Sequence, residues 1–196
     1  MTANTPRGYP YPQLTDTVDG LADYFQDLAE AVDTDMGTQV TAALRHATRV
    51  TQSLAQTGWT TGTYNSLTFT ATEDFDSSLG LHDTVTNPSR ITIGKKLGLW
   101  LVQGTFVAVS NAAMTAARCR VTLNGSSING ALTSDPAPSA SGLPVYSSPI
   151  VPILATVSTD YVETQGLITA PSGTIGSQVN GEARSAMWAL FIGTLG

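Results

Sequence analysis

The chain has 196 residues, a formal net charge of -6 and only 12% charged residues, a length that gives one or two domains with a real core. An acidic balance with a pI near 4.6 and no basic patch excludes nonspecific attraction to nucleic-acid phosphates. The single cysteine, Cys119, excludes an intrachain disulfide framework or a cysteine-based zinc cluster, and the lack of any run of roughly 18 apolar residues excludes insertion of a helix into a membrane.

The opening MTANTPRGYPYPQL has no basic segment followed by an apolar one and a cleavage site, which predicts synthesis in a cytoplasm without a secretory signal. Within residues 1–14, Pro6, Pro10 and Pro12 alternate with Tyr9 and Tyr11. Proline fixes φ and biases its predecessor to extended geometry, so this segment reads as a semi-extended arm. Its tyrosines are on offer to a partner, or the arm is a plain tail.

Residues 15–57 read as helical. Thr15 or Asp16 caps the start, and Asp16 and Asp19 suit the positive end of the helix dipole. Val18, Leu21, Phe25, Leu28 and Val32 then recur at alternating gaps of three and four, the seam of a coiled coil. The register slips near Gly37, and a second, weaker periodicity continues through Val40, Ala43 or Leu44, Ala47, Val50 and Leu54. This seam packs either against other copies or on the chain's own sandwich.

From Gly58 the period changes to two. Leu67, Phe69 and Ala71 alternate with serine and threonine, Ile91 and Ile93 with Arg90 and Thr92, and Cys119, Val121 and Leu123 with Arg118, Arg120 and Thr122. These are half-buried strands. Asn124-Gly125 is a turn signal that sends the chain back through Ser127 to Leu132. Asp135 to Pro149, with four prolines, reads as a long surface loop. Ile150 to Val157, Tyr161 to Ile168 and Ala183 to Ile192 close the domain, giving an antiparallel jelly-roll sandwich over 58–196.

One stretch stands out. In Leu97 to Val109, Trp100, Val102, Gly104 and Phe106 form one face, while Leu99, Leu101, Val107 and Val109 flank Gln103 and Thr105 on the other. A strand wetted on one side would alternate apolar with polar, so this strand is covered on both. Inside lies the opposite sheet; outside lies either a helix of the same chain or a second subunit. The last strand repeats the pattern, Met187, Ala189 and Phe191 opposing Trp188, Leu190 and Ile192.

Sites of chemistry are scarce. GxSxG, HExxH, Walker and GxGxxG motifs are absent, and no catalytic residue, metal site or cofactor is expected. His82-Asp83 with Ser77 or Ser78 lacks the spatial evidence that defines a triad. Glu73, Asp74, Asp76 and Asp83 lack the spacing of a calcium loop, and Cys119 reads as a buried structural thiol. Tyr64 and Tyr146 would stack on sugar rings if exposed together. A cell-wall hydrolase would need a carboxylate pair that nothing here marks.

RITIGKKLGLWLVQGTFVAV, RCRVTLNG, DYVETQG and SAMWALFIG together resemble the jelly roll of the tumour necrosis factor and complement globular-head superfamily. Gly98, Trp100, Val102, Gly104 and Phe106 match its core-crossing strand, Asn124-Gly125 its turn, and Tyr161, Val162 and Gly166 its penultimate strand. Separately, PRGYPYPQLTDTVDGLADYFQDLAEAVD is similar, through Tyr9, Pro10, Pro12, Asp16, Leu28, Ala29 and Glu30, to the opening of small structural proteins of phages infecting actinobacteria.

The resemblances imply a homotrimeric virion protein, a fibre, spike or decoration protein on head or tail. It would contact a phage capsid or tail protein through Tyr9, Pro10, Tyr11 and Pro12. Trimer contacts are expected at Val18, Leu21, Phe25, Leu28 and Val32 in the helix, and at Leu99, Leu101, Val107, Val109, Phe191 and Leu195 in the jelly roll. The alternative is a tail module that binds a host surface glycan through the 135–149 loop.

Overall fold

The computed structural model describes residues 3–4, 10–11, 26–35, 46–70, 75–76, 79–135 and 143–194. Two compact units divide the chain, Met1–Leu44 and Arg45–Gly196.

In the first unit, β1 (Ala3–Asn4) pairs antiparallel with β2 (Pro10–Tyr11), so part of the proline-rich arm is a small ladder. A helix, α1, covers 26–35. Gln26 Nε2 donates to Glu30 Oε1 at 2.9 Å, one turn on. Leu28 is half-buried and Val32 is 36% exposed.

The second unit begins earlier than the change of period suggests. The expected second seam puts Ala47, Val50 and Leu54 on a helix, but Ala47 and Val50 lie in β3 (Ala47–Thr51) and Leu54 is exposed beyond it, while Val40, Ala43 and Leu44 lie outside the described residues. The β3 sequence ATRVT is rich in β-branched residues, and Thr48 and Val50 are fully buried. A pattern of five residues fits either period, and tertiary pairing decided it. After β3 come β4 (Gln56–Thr57), β5 (Asn65–Ser66), β6 (Phe75–Asp76), β7 (Arg90–Ile91) and a 3-10 turn at Ile93–Lys95. Then follow β8 (Gly98–Ser110), β9 (Ala116–Leu123), β10 (Ser126–Asp135), β11 (Val145–Ser147), β12 (Val151–Ala155) and β13 (Val162–Thr169). The chain closes with β14 (Ile175–Ser177), β15 (Val179–Asn180), β16 (Ala183–Arg184) and β17 (Ala186–Gly193).

Two antiparallel sheets face one another. One has the order β3-β17-β8, with β12 and β11 end to end on the far side of β8; the other has β10-β9-β13, with β5 and β7 end to end on the far side of β13. The chain passes back and forth between the sheets, which is the jelly-roll arrangement. Leu67 and Phe69 point inward as their alternation predicts, but the backbone there leaves the ladder: the Leu67 amide donates to the Thr164 carbonyl and the Phe69 amide to that of Pro88. The expected long loop contains β11, which turns Tyr146 into the core beside Phe106.

The core lies between the sheets around Trp100, Val102 and Phe106 of β8, Cys119 and Val121 of β9, Ile168 of β13 and Met187 of β17. The facing sheets touch closely at two glycines. A Cβ on Gly104 would lie 2.2 Å from Thr164 Oγ1, and one on Gly166 would lie 2.9 Å from the Phe106 ring.

Candidate functional site

Because β8 alternates, burying Trp100, Val102, Gly104 and Phe106 turns Leu99, Leu101, Gln103 and Thr105 outward. Directly paired residues of antiparallel strands point to the same side, so register extends this face. Leu101 pairs with Leu190 of β17 and Pro152 of β12, Leu99 with Leu154, and Gln103 with Trp188. The result is an outward face of Leu99, Leu101, Pro152, Leu154, Trp188 and Leu190.

The face is open at its rim, with Leu154 41% and the neighbouring Ile192 52% exposed. Toward β3 the exposed Arg49 pairs with Trp188 and belongs to the same side; nearer β8 the polar groups are tied to one another. Trp188 Nε1 donates to Gln103 Oε1 at 3.1 Å, and Gln103 Nε2 donates to the Ser148 carbonyl at 3.0 Å. Indole and amide therefore present mainly carbon on this face. At one end, Leu97, Gly98, Leu154, Ala155, Thr156 and Thr194 line a groove of about 310 Å³.

Of the residues expected at a jelly-roll contact, Leu99 and Leu101 lie on this face and Val109 is half-buried beside Gly176 of β14. Val107 is not available. It is fully buried within the protomer, its amide donating to Ser185 Oγ and its carbonyl accepting from the Gln178 amide. These two residues bracket the β15–β16 hairpin, which interrupts what would otherwise be one continuous strand from β14 to β17 along β8. Val107 itself is thus enclosed by its own chain, while Val145, which pairs with it, stays 52% exposed.

Phe191 also stands elsewhere. It pairs with Trp100, so it belongs to the inward side, packing edge-on against Trp100 at 5.3 Å and against His46 at 5.5 Å. The outward residues of β17 are Trp188 and Leu190. Their signal, alternation along the last strand, is visible in the sequence, but the strand's register is not. Leu195, Val18, Leu21, Phe25, Tyr9 and Pro12 lie outside the described residues, and Pro10 and Tyr11 are placed by backbone pairing alone.

The remaining candidates have structural surroundings. Both ring nitrogens of His82 face backbone carbonyls, those of Arg90 and Phe69, at 2.8 and 2.9 Å. Asp83 closes its own turn, and the Thr86 and Val85 amides hold its carboxyl below the usual range. Ser77, Ser78, Glu73 and Asp74 lie outside the described residues. Among the described residues no group of three His, Cys, Asp or Glu could hold a metal ion, and no helix is long and apolar enough to cross a membrane.

Cys119 is buried, and desolvation pushes its thiol up to about 12. The tyrosines do not form a sugar platform. Tyr146 is buried, and the Arg120 guanidinium covers the Tyr64 ring at 3.5 Å while donating to Gln165 Oε1.

No protein-family model matches the chain, and no curated protein matches it. Among solved structures it is similar to that of Eiger TNF from S. frugiperda, at 10% identity and a TM-score of 0.47, over 77% of this chain and 94% of the other.

Proposed function

We propose that the chain is a non-enzymatic structural protein that works as a homo-oligomer, with the outer face of the β8 sheet as its subunit interface. The observation that carries this is the composition of that face: Leu99, Leu101, Pro152, Leu154, Trp188 and Leu190 side by side, with the Trp188 indole hydrogen-bonded to Gln103 and Arg49 at its β3 edge. A solvated sheet face of an antiparallel sandwich is ordinarily polar at these positions, and a contiguous apolar patch marks an interaction surface. The number of copies, three, is what the sequence resemblance implies.

The separate resemblance of residues 6–33 to the opening of phage structural proteins supports the finer reading of a virion fibre, spike or decoration protein. In that reading the N-terminal unit attaches to a capsid or tail protein and the jelly roll projects outward. The apolar residues of α1, half-buried Leu28 and exposed Val32, suit a helical seam between copies. Light scattering coupled to size exclusion tests the assembly directly on the full chain. A mass of three chains is expected, and a monomer over the accessible concentration range would sink the proposal. Incubation with purified phage particles tests the finer reading through retention of the chain, and its loss on removal of residues 1–14.

A further inference from the structure

Three Asn-Gly pairs occur in the chain, Asn124-Gly125, Asn129-Gly130 and Asn180-Gly181, and the fold treats them differently. An asparagine followed by glycine is open to attack on its own side chain, because glycine places no Cβ in the path of its backbone nitrogen. The reaction needs a free side-chain amide and a backbone able to turn toward it.

Asn124 has neither. Its Nδ2 donates to Asp160 Oδ1 at 2.8 Å, its Oδ1 accepts from the Tyr161 amide at 3.0 Å, and its own amide donates to the Tyr161 carbonyl at 2.9 Å. Asp160, the clamp, is itself buried. The turn also joins two long paired strands, β9 and β10.

Asn180 and Asn129 have both. Asn180, Gly181 and Glu182 are exposed at the tip of the β15–β16 hairpin, which has two residue pairs and stands outside the main ladder. Ladders this short are marginal and open at little cost. Asn129 and Gly130 are exposed in the stretch of β10 where the register with β9 jumps from Ser127 to Leu132. Gly130, at φ +80°, has nothing within 4 Å of a built Cβ.

We propose that Asn180 and Asn129 are sites of spontaneous backbone-assisted deamidation and that Asn124 is protected by the fold. The backbone nitrogen of Gly181 or Gly130 loses its proton to solvent and bonds to the preceding Asn Cγ. The Cγ–Nδ2 bond breaks and ammonia leaves, closing a succinimide. Water then opens either carbonyl of the ring to give aspartate or isoaspartate, with no oxidant or reductant required. Each event adds one negative charge, at the hairpin tip or on the outer strand of the β9 sheet.

The test is incubation of the folded full-length chain in mildly alkaline buffer, with a parallel sample unfolded in urea. Each asparagine is followed by fragment-ion mass spectrometry and by enzymatic methylation of isoaspartate. In urea the three should react alike. In the folded chain Asn124 should slow at least about tenfold relative to its urea rate, as expected for a group that reacts only on local opening, while Asn129 and Asn180 stay within a few-fold. Asp160→Ala should raise the Asn124 rate alone, and N180Q and N129Q should each silence their own site. Equal rates at all three sites in the folded chain, or protection of Asn129 or Asn180 comparable with that of Asn124, would overturn the assignment.

Discussion

Asp160 shows how much of this sandwich rests on single buried polar groups. Its carboxylate accepts from the Thr156 and Val157 amides at 2.7 and 3.0 Å and from Asn124 Nδ2 at 2.8 Å, so it ties the β12–β13 turn to the β9–β10 turn. Burial alone would raise its carboxyl, but the bonds from Asn124, Val157 and Thr156 outweigh that and hold it below the usual range. A depressed folded value means the stabilisation is fully present above the unfolded value, roughly 4, and is lost as pH falls through the folded one. Asp160→Ala orphans two backbone donors and should cost about 1–3 kcal/mol, read by urea unfolding near neutral pH. The deficit relative to wild type should shrink once both are measured in acid below the folded value. A deficit that does not change with pH would show that the carboxylate's charge is irrelevant to the turn.

Among elements, the sequence carries strand phase better than strand pairing. The inward set Trp100, Val102, Gly104 and Phe106 follows from alternation alone, as do Leu67 with Phe69 and Cys119 with Val121. Alternation is a property of one strand, so one sequence contains it. What it lacks is the neighbour. β3 is too short for its period to declare it, β11 is concealed among prolines, and Phe191 takes the inward side because its register sets it opposite Trp100.

The same lesson gives a test at β3, which pairs with β17 from Ala47 to Thr51 and buries Val50. Close behind it, Gln52 Nε2 donates to Gln56 Oε1 and to Ser177 Oγ, both at 2.7 Å, linking this edge to β14. A chain beginning at Arg45 should unfold in urea at nearly the midpoint of the second unit in the full protein. One beginning at Gly58 loses β3 and β4 and bares the edge of β17, with a loss of about 3 kcal/mol or more from Val50 and the broken ladder. Equal midpoints for the two chains would mean that β3 adds nothing to the fold.

For the whole molecule, the outer face of the β8 sheet differs at its two ends, and on the proposed reading the difference separates folding from assembly. At the Val107 end the side chain is fully buried by its own chain. At the Leu99–Leu101 end the described residues of the second unit leave Leu154 and Leu97, at 41% and 48% exposure, at the rim. A charge placed at the first end must be buried in the protomer and cannot be solvated; the cost is several kcal/mol, comparable to the whole stability of a domain. On the proposed reading a charge at the second end, where Leu101 and Leu190 are half-buried, keeps access to water in a monomer and is fully desolvated only when copies associate. Val107→Asp should therefore abolish cooperative unfolding and give an aggregating chain. Leu101→Asp combined with Leu190→Asp should keep the sheet signal in circular dichroism and a cooperative transition, while the mass measured by light scattering falls to that of one chain. A double variant that folds and still assembles would move the subunit contact off this face, and one that fails to fold would make the face internally covered like Val107.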